Sequence, residues 1–276
     1  MPTTFYQAGL GASAGSDIAT AQHFVASTAV YYVDPVTGSA SYTGRSRKDP
    51  KASIANLTLA AGDIVILMGD DTIDSPAAAS PTLTLPAGVS IIGEGTVRPI
   101  LTLSATTANT SVAGIYIPTT ASNCLLDYLD IKIGTVSASD FTPVLLDIRG
   151  PNCYIRSCRL RIKDGQTPSR APAAGEGTPL TIMDSELYIS ASPATYKTKF
   201  TFGSDYLFFE NNSMVSETYP ITEDVFQSAW GLLFSTGVDS AIIRNYTGLG
   251  GILTQCAATR YKITDTSESF ASWFLT

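Results

Sequence analysis

Charged residues are scarce in this sequence. They make up 15% of the 276 residues, whereas soluble domains usually carry about 25%. Thr, Ser, Ala and Gly take their place, a composition that is typical of short strands and turns and not of charged amphipathic helices. The chain is long enough to bury a core, and its 44% of hydrophobic residues can supply one.

Positive charge is in deficit, because the formal net charge is −7. A general nucleic-acid-binding protein needs a basic surface, so we expect no nucleic-acid partner. No apolar run approaches the roughly 18 residues of a membrane span, so we expect no membrane partner. The first residues, Met1–Thr4, lack the basic and apolar regions of a signal peptide. The sequence therefore predicts synthesis in a cytoplasm.

Residues that bind transition metals are also few. There is one histidine, His23, and none of the four cysteines forms a CxxC pair, so we predict no zinc site and no cofactor. The nearest calcium candidate is Asp70, Asp71 and Asp74, which we interpret as a solvated corner. Buried free thiols are predicted for all four cysteines, which are Cys124, Cys153, Cys158 and Cys256.

What the sequence does have is a repeat. Five segments carry inward-type residues at relative positions 0, 2, 5 and 7, and these segments begin at Cys124, Cys153, Leu180, Leu207 and Ala241. The starts are 29, 27, 27 and 34 residues apart. A step of two fits a strand, and the step of three fits a corner. Asn211 and Asn245 occupy position 4, where Asn tolerates the backbone angles of a corner.

A second strand-like run precedes most of these segments. The runs are 112–117, 144–148, 199–202, 232–234 and 251–253. The stretch 165–177, rich in Pro, Ala and Gly, is predicted to be a connecting loop. Amphipathic helices after residue 60 would favour βαβ units, but none is evident, and a sandwich or barrel would not explain the period. The sequence predicts an all-β fold, a single-stranded right-handed parallel β-helix (solenoid) over residues 31–276.

Residues 1–30 lie outside the repeat and are predicted to form a short N-terminal arm or cap. One short helix is expected from Ser16 or Asp17 to about Ala26, with Asp17 able to cap it. Two interpretations stay open, and both could hold. The segment either covers the open end of the first coil or anchors the protein to a partner.

Three phrases of the sequence resemble the opening coils of the pectin-lyase-like superfamily. They are the stretch from Asp34 to Ile54, the stretch 61–67 (AGDIVIL) and the stretch 83–95 (LTLPAGVSIIGEG). The resemblance runs from about residue 31 to 250 and implies the parallel β-helix fold. It leaves the activity open, because the superfamily holds lyases, glycosidases, phage tailspikes and inert structural proteins. In character the chain is closest to β-helix proteins of phage virions.

Enzymes of that superfamily, as the resemblance implies, use clustered carboxylates or Asp-bound Ca²⁺ with a basic residue. Equal positions in adjacent coils lie about 4.8 Å apart, so columns of the stack can be read from the repeat. Position 3 reads Asp127, Arg156, Met183, Glu210 and Arg244, and position 6 reads Asp130, Arg159, Glu186, Ser213 and Thr247. If the protein is an enzyme, the candidate catalytic residues are Asp127, Asp130, Asp147, Arg156, Arg159 and Glu186.

The alternation of sign in these columns favours a second interpretation, that of ion-pair ladders on the outer surface. Each exposed pair would contribute about 0–1 kcal/mol. The basic residues from Arg149 to Arg170 could form a groove for an anionic sugar. We favour a solvated or subunit-facing side that is neutralised by the neighbouring carboxylates.

The predicted function is that of a non-enzymatic structural protein in the virion of a tailed bacteriophage. A capsid decoration (cement) protein or a short spike or fibre component fits the size best. Residues 1–30 would bind other virion proteins of the capsid or tail, and a homotrimer and a host glycan are open as further partners. The alternative is a polysaccharide lyase or glycosidase, a depolymerase that acts on surface glycans.

Overall fold

The computed structural model describes twelve stretches of the chain. They are residues 29–76, 80–106, 113–136, 144–163, 167–170, 179–190, 199–202, 206–216, 231–234, 240–244, 247–248 and 252–254. These stretches hold 22 strands and one 3-10 helix, Ile54–Asn56. The strands form three parallel sheets.

Sheet 1 has eight strands. They are β1 (Val30–Val33), β2 (Ile64–Leu67), β5 (Ser90–Gly93), β8 (Leu125–Asp127), β11 (Cys153–Arg156), β14 (Pro179–Met183), β17 (Tyr206–Glu210) and β20 (Ser240–Arg244).

Sheet 2 has seven strands. They are β3 (Asp71–Asp74), β6 (Ile100–Ala105), β9 (Asp130–Val136), β12 (Arg159–Lys163), β15 (Glu186–Ser190), β18 (Ser213–Ser216) and β21 (Thr247–Gly248).

Sheet 3 has seven strands as well. They are β4 (Leu83–Thr84), β7 (Ala113–Ile117), β10 (Val144–Ile148), β13 (Thr167–Arg170), β16 (Lys199–Phe202), β19 (Gly231–Phe234) and β22 (Ile252–Thr254).

The order of the strands defines the fold. From β2 onward each strand pairs with the strand three places later in the chain, so every coil contributes one strand to each sheet. The predicted all-β parallel β-helix is therefore confirmed. The predicted register is confirmed too, since Cys153, Leu180, Leu207 and Ala241 are aligned in adjacent strands.

One local prediction was wrong. The stretch 165–177 was expected to be a loop, but Thr167–Arg170 forms β13. This strand pairs with β10, where Thr167 lies opposite Val144. The backbone ladder of the neighbouring coil outweighs the weak local strand preference of a Pro- and Gly-rich segment.

The corner between sheets 1 and 2 has a left-handed backbone at position 4. The φ angles are 54° at Tyr128, 51° at Ser157, 52° at Asp184 and 53° at Asn211. The amides of the first three donate to the next coil, as Tyr128 N does to Arg156 O, Ser157 N to Met183 O and Asp184 N to Glu210 O, each at 3.0 Å. The prediction for Asn211 is confirmed, and Asn245 lies outside the described residues.

A second column of left-handed residues stands just before sheet 1. It consists of Gly62, Gly88, Asn123 and Asn152, with φ of 80°, 72°, 58° and 56°. The amide of Gly88 donates to Ser122 O at 2.6 Å, and that of Asn123 donates to Pro151 O at 3.0 Å. Gly and Asn adopt this conformation at low cost, so the second corner has a cause in the sequence. At the first corner the same reason holds for Asp184 and Asn211 but not for Tyr128 and Ser157.

The interior is filled by columns of apolar side chains. One column consists of Val65, Ile91, Leu126, Ile155 and Ile182, all of which are buried. Cys124, Cys153 and Cys158 are buried free thiols, as predicted, and Cys256 lies outside the described residues. Burial raises the pKa of Cys158 to about 12, so this thiol stays protonated and packs as a small apolar group.

The amino-terminal end of the stack is closed by residues 34–57. Tyr32 N donates to Gly44 O at 2.7 Å, and Lys51 N donates to Tyr32 O at 2.9 Å, so the free edge of β1 is already hydrogen-bonded. Ile54 of the 3-10 helix is buried in the core below this edge. The segment thus satisfies the backbone groups that an open strand edge would expose.

Asp71 does not lie at a solvated corner, so the interpretation made from the sequence is wrong for this residue. It is buried on β3, and it accepts hydrogen bonds from Ile54 N at 2.8 Å and Ser53 Oγ at 3.1 Å. Burial raises the pKa of Asp71. These two hydrogen bonds fix the 3-10 helix against the stack. They also offset the cost of burying a carboxyl group.

Gly93 gives a test of how closely the coils approach. A Cβ atom there would overlap the carbonyl oxygen of Tyr128 in the next coil, whereas one at Gly69 would meet only atoms of Asp34 and Pro35 at 3.5 Å. We expect Gly93→Ala to lower the free energy of unfolding by about 1–3 kcal/mol. Gly69→Ala should stay within about 0.5 kcal/mol. Equal effects in urea denaturation of both variants would contradict the close approach.

Candidate functional site

Asp127 and Arg156 form an ion pair across two adjacent coils. They are aligned partners on β8 and β11. Arg156 Nε lies 3.1 Å from Asp127 Oδ1, and Arg156 Nη2 lies 2.5 Å from Asp127 Oδ2. Paired bonds of this kind are geometrically specific, because the planar guanidinium matches the two carboxylate oxygens.

The burial of this pair overturns one expectation. A ladder exposed to solvent was predicted, but the residues are only 3% and 6% exposed. Asp127 and Arg156 each follow a core residue, Leu126 and Ile155, so strand alternation turns them to the outer face of sheet 1. That face is itself covered at these coils, since Leu125 is buried as well.

A second set of charges lies on sheet 2 and is called here the arginine–carboxylate network. Its members are Arg98, Asp130, Arg159, Arg161 and Glu186. The predicted column is present, since Arg159 is aligned with Asp130 on one side and with Glu186 on the other. Arg159 Nη2 lies 2.7 Å from Glu186 Oε2, and Arg159 Nη1 lies 3.7 Å from Asp130 Oδ2.

Arg161 joins the network from position 8 of its coil. Its Nε lies 2.6 Å from Asp130 Oδ1, and its Nη2 also bonds that carboxylate. The guanidinium groups of Arg159 and Arg161 lie 5.6 and 5.4 Å from the centre of the Tyr188 ring. A cation over an aromatic face is attracted to the ring, so Tyr188 helps to hold both arginines in place.

Arg98 is the member that sequence reasoning missed. It lies between β5 and β6, and its Nη1 reaches Oε1 of Glu186, 88 residues away, at 2.6 Å. The guanidinium also lies 5.9 Å from the centre of the Tyr128 ring. Arg98 precedes the repeat, so the column analysis contained no signal for it.

Asp147 is not brought together with the other candidates. It lies on β10 in sheet 3, where it binds Arg149 through Nη2 and Oδ2 at 2.9 Å. The basic stretch is divided in the same way, because Arg156 is on sheet 1, Arg159 and Arg161 are on sheet 2, and Arg170 is on sheet 3. The residues therefore do not line one groove.

The electrostatics of Glu186 decide what it can do chemically. Burial alone would raise its pKa, but hydrogen bonds and charge from Arg98 and Arg159 lower the pKa below the ordinary value. A general acid in glycoside hydrolysis needs a raised pKa so that it is protonated at the working pH. Glu186 is therefore arranged as a stable anion and not as a proton donor.

In the twelve described stretches, no group of three His, Cys, Asp or Glu side chains is placed to hold a metal ion. No helix in the described part of the chain is long and apolar enough to cross a membrane.

Comparisons with known proteins do not identify a family for this chain. No family model and no curated protein matches this chain. A solved structure of a rhamnogalacturonan lyase aligns with a TM-score of 0.48 and 16% identity over 87% of this chain. This chain spans 62% of the length of that lyase chain. Similarity at this level says nothing about activity, and the fold assignment stands on the strand register.

The buried pair predicts a specific pattern of stabilities. Arg156→Met should cost about 3–5 kcal/mol, because it leaves Asp127 buried without a partner. The double variant Asp127→Leu/Arg156→Met should be more stable than either single variant, since no lone charge remains. Urea denaturation of the parent, the two single variants and the double variant measures this double-mutant cycle.

The exposed pair of Arg47 and Glu94 is the control. Its side chains are 47% and 22% exposed, so Arg47→Met should cost no more than about 1 kcal/mol. A similar small cost for Arg156→Met would mean that the Asp127 pair is not desolvated.

Glu186 predicts a dependence of stability on pH. Because the folded-state pKa is lowered, its contribution is present above the unfolded-state pKa of about 4.3 and is lost as pH falls through the folded-state value. Glu186→Gln should therefore be less stable than the parent at pH 7, and the difference should shrink toward pH 3. The free energy of unfolding across this range, in low and high salt, measures it. A difference independent of pH would contradict the ionic role.

Proposed function

We propose that this protein is a non-enzymatic structural component in the virion of a tailed bacteriophage, either a capsid decoration (cement) protein or a short spike or fibre component. One observation carries the non-enzymatic part. Each candidate carboxylate is bound by at least one arginine, and the pairs are Asp127 with Arg156, Asp130 with Arg161, Asp147 with Arg149, and Glu186 with Arg98 and Arg159.

These pairs are poorly suited to acid–base chemistry. A general base must be free to take a proton from substrate, and a general acid must hold one at the working pH. Asp127 is bonded through both oxygens within a buried pair, and the lowered pKa of Glu186 keeps it ionised. Their geometry supports a role in joining coils.

A scaffold role agrees with the rest of the described molecule. Successive coils are bonded through three sheets and through the corner amides, and the first coil is closed by residues 34–57. A particle outside a cell needs proteins that withstand local opening, and such continuous ladders resist it. The superfamily that the sequence resembles includes phage tailspikes, which is why we propose a virion.

Attachment is proposed to use the segment before the solenoid. Residues 1–30 would bind other proteins of the capsid or tail, and copies of the chain could assemble as a homotrimer. A host glycan is a further partner of this proposal. This part rests on the analogy with virion β-helices.

Co-purification with intact particles tests the proposal. Particles from the producing host are banded in a density gradient, and their proteins are quantified by mass spectrometry. We expect this chain in a fixed ratio to the major capsid or tail protein, retained after washing in high salt. Its absence from intact particles would overturn the virion role.

Glycan cleavage tests the enzymatic alternative. The purified protein is incubated with pectate, alginate and host capsule, and unsaturated and reducing ends are measured. We expect no release above a heat-inactivated control. Release that is lost in Asp127→Ala or Arg156→Ala, with the fold retained, would replace the structural proposal with a lyase or glycosidase.

A further inference from the structure

The outer face of sheet 1 is covered over its first coils. Ile64, Ser90 and Leu125 are aligned in β2, β5 and β8. Each is followed by a core residue, so strand alternation turns all three away from the core. Their exposures are nevertheless only 8%, 2% and 4%. The outer side of a one-layer coil should meet solvent, so another segment lies on it.

The cover does not extend along the whole sheet. The column of Ile64, Ser90 and Leu125 continues through Tyr154, Thr181 and Phe208 in the following coils, and we name these six residues the outer row. Tyr154 and Thr181 are half-buried, and Phe208 is 42% exposed. Val30, which is aligned with Ile64 on the edge strand β1, is half-buried as well. Burial is therefore greatest at β2, β5 and β8 and decreases beyond β8.

Described segments account for cover at the other end of these strands. The Arg47 guanidinium lies 5.2 Å from the centre of the Tyr32 ring and binds Glu94, which directly follows β5. Tyr128, just after β8, donates its hydroxyl to Thr96 O at 3.2 Å. These contacts lie at the carboxyl ends of the strands, whereas the outer row lies toward their amino ends.

We propose that residues 17–26 form a helix that packs on the outer row across β1, β2, β5 and β8. The chain before Ala29 joins this same sheet at its first strand, directly beside the buried part of the outer row. Ten helical residues span about 15 Å, close to the three strand spacings of about 4.8 Å that separate β1 from β8.

The sequence of the segment suits this surface. Ile18, Ala21 and Val25 have helical spacing and share one face. Asp17 can cap the first turn. The apolar face would meet Ile64 and Leu125. Residues 1–16 would remain available to bind a particle. The inference itself is argued from the burial of the outer row and does not depend on the proposed function.

A second copy of the chain is a weaker explanation. The exposures are those of a single chain, and a partner lying along the row would also cover Phe208. Cover that is confined to the coils next to β1 favours the segment that is covalently joined there.

Thiol labelling tests the helix. Ser90→Cys and Phe208→Cys are each placed in a Cys256→Ser background, where the three described native thiols are buried. Maleimide labelling is then compared in the full chain, in the full chain with Ile18→Glu and Val25→Glu, and in a chain that begins at Ala29. A cooperative melt and a β-type circular dichroism spectrum establish that each variant is folded.

We expect Cys at position 90 to react slowly in the full chain and about tenfold or more faster in both altered chains, because the cover opens without global unfolding. Cys at position 208 should react at one rate throughout. Equal protection at position 90 in all chains, or fast labelling in the full chain, would overturn the proposal. Protection lost on dilution of the full chain would also overturn it, in favour of a second copy. If the shortened chain does not fold, the Ile18→Glu/Val25→Glu variant decides the matter.

Discussion

The hydrogen bonding of each coil to the next is the interaction on which this structure depends. Strand amides do this along three sheets, and the corner amides of Tyr128, Ser157 and Asp184 continue it where the chain turns. Since the ladder holds equal positions about one strand spacing apart, every column of side chains follows from it. The core, the thiols and the ion pairs between aligned strands are consequences of this one register.

This dependence explains what could be predicted from the sequence. The period of the repeat contained the register, so the partners Asp127 with Arg156 and Arg159 with Glu186 could be inferred from the sequence alone. Burial of the first pair could not, because alternation indicates which face a residue takes and not what covers that face. Arg98 was missed for a related reason, since its contact with Glu186 is made by a side chain outside the repeat. Strand β13 was missed because pairing outweighed composition.

The candidate site changes meaning once its neighbours are known. Clustered Asp, Glu and Arg residues are what an acid–base site requires, and the columns supply them. In the folded chain each of these carboxylates meets a guanidinium in an adjacent coil or, for Asp147, just past the end of its own strand, and charges are balanced locally. The same residue types then join coils in place of reacting with a substrate, because their protonation and geometry are already fixed.

Arg98 has a consequence for how such a stack comes apart. A solenoid whose units touch only their neighbours can fray from its ends, one unit at a time. The contact from Arg98 to Glu186 bypasses this order, since Ile100, Asp130, Arg159 and Glu186 mark four successive coils. This contact joins chain segments that are three coil boundaries apart, so it links the four coils directly. The four linked coils would unfold together under force, as one mechanical unit, whereas the coils beyond them would detach one at a time.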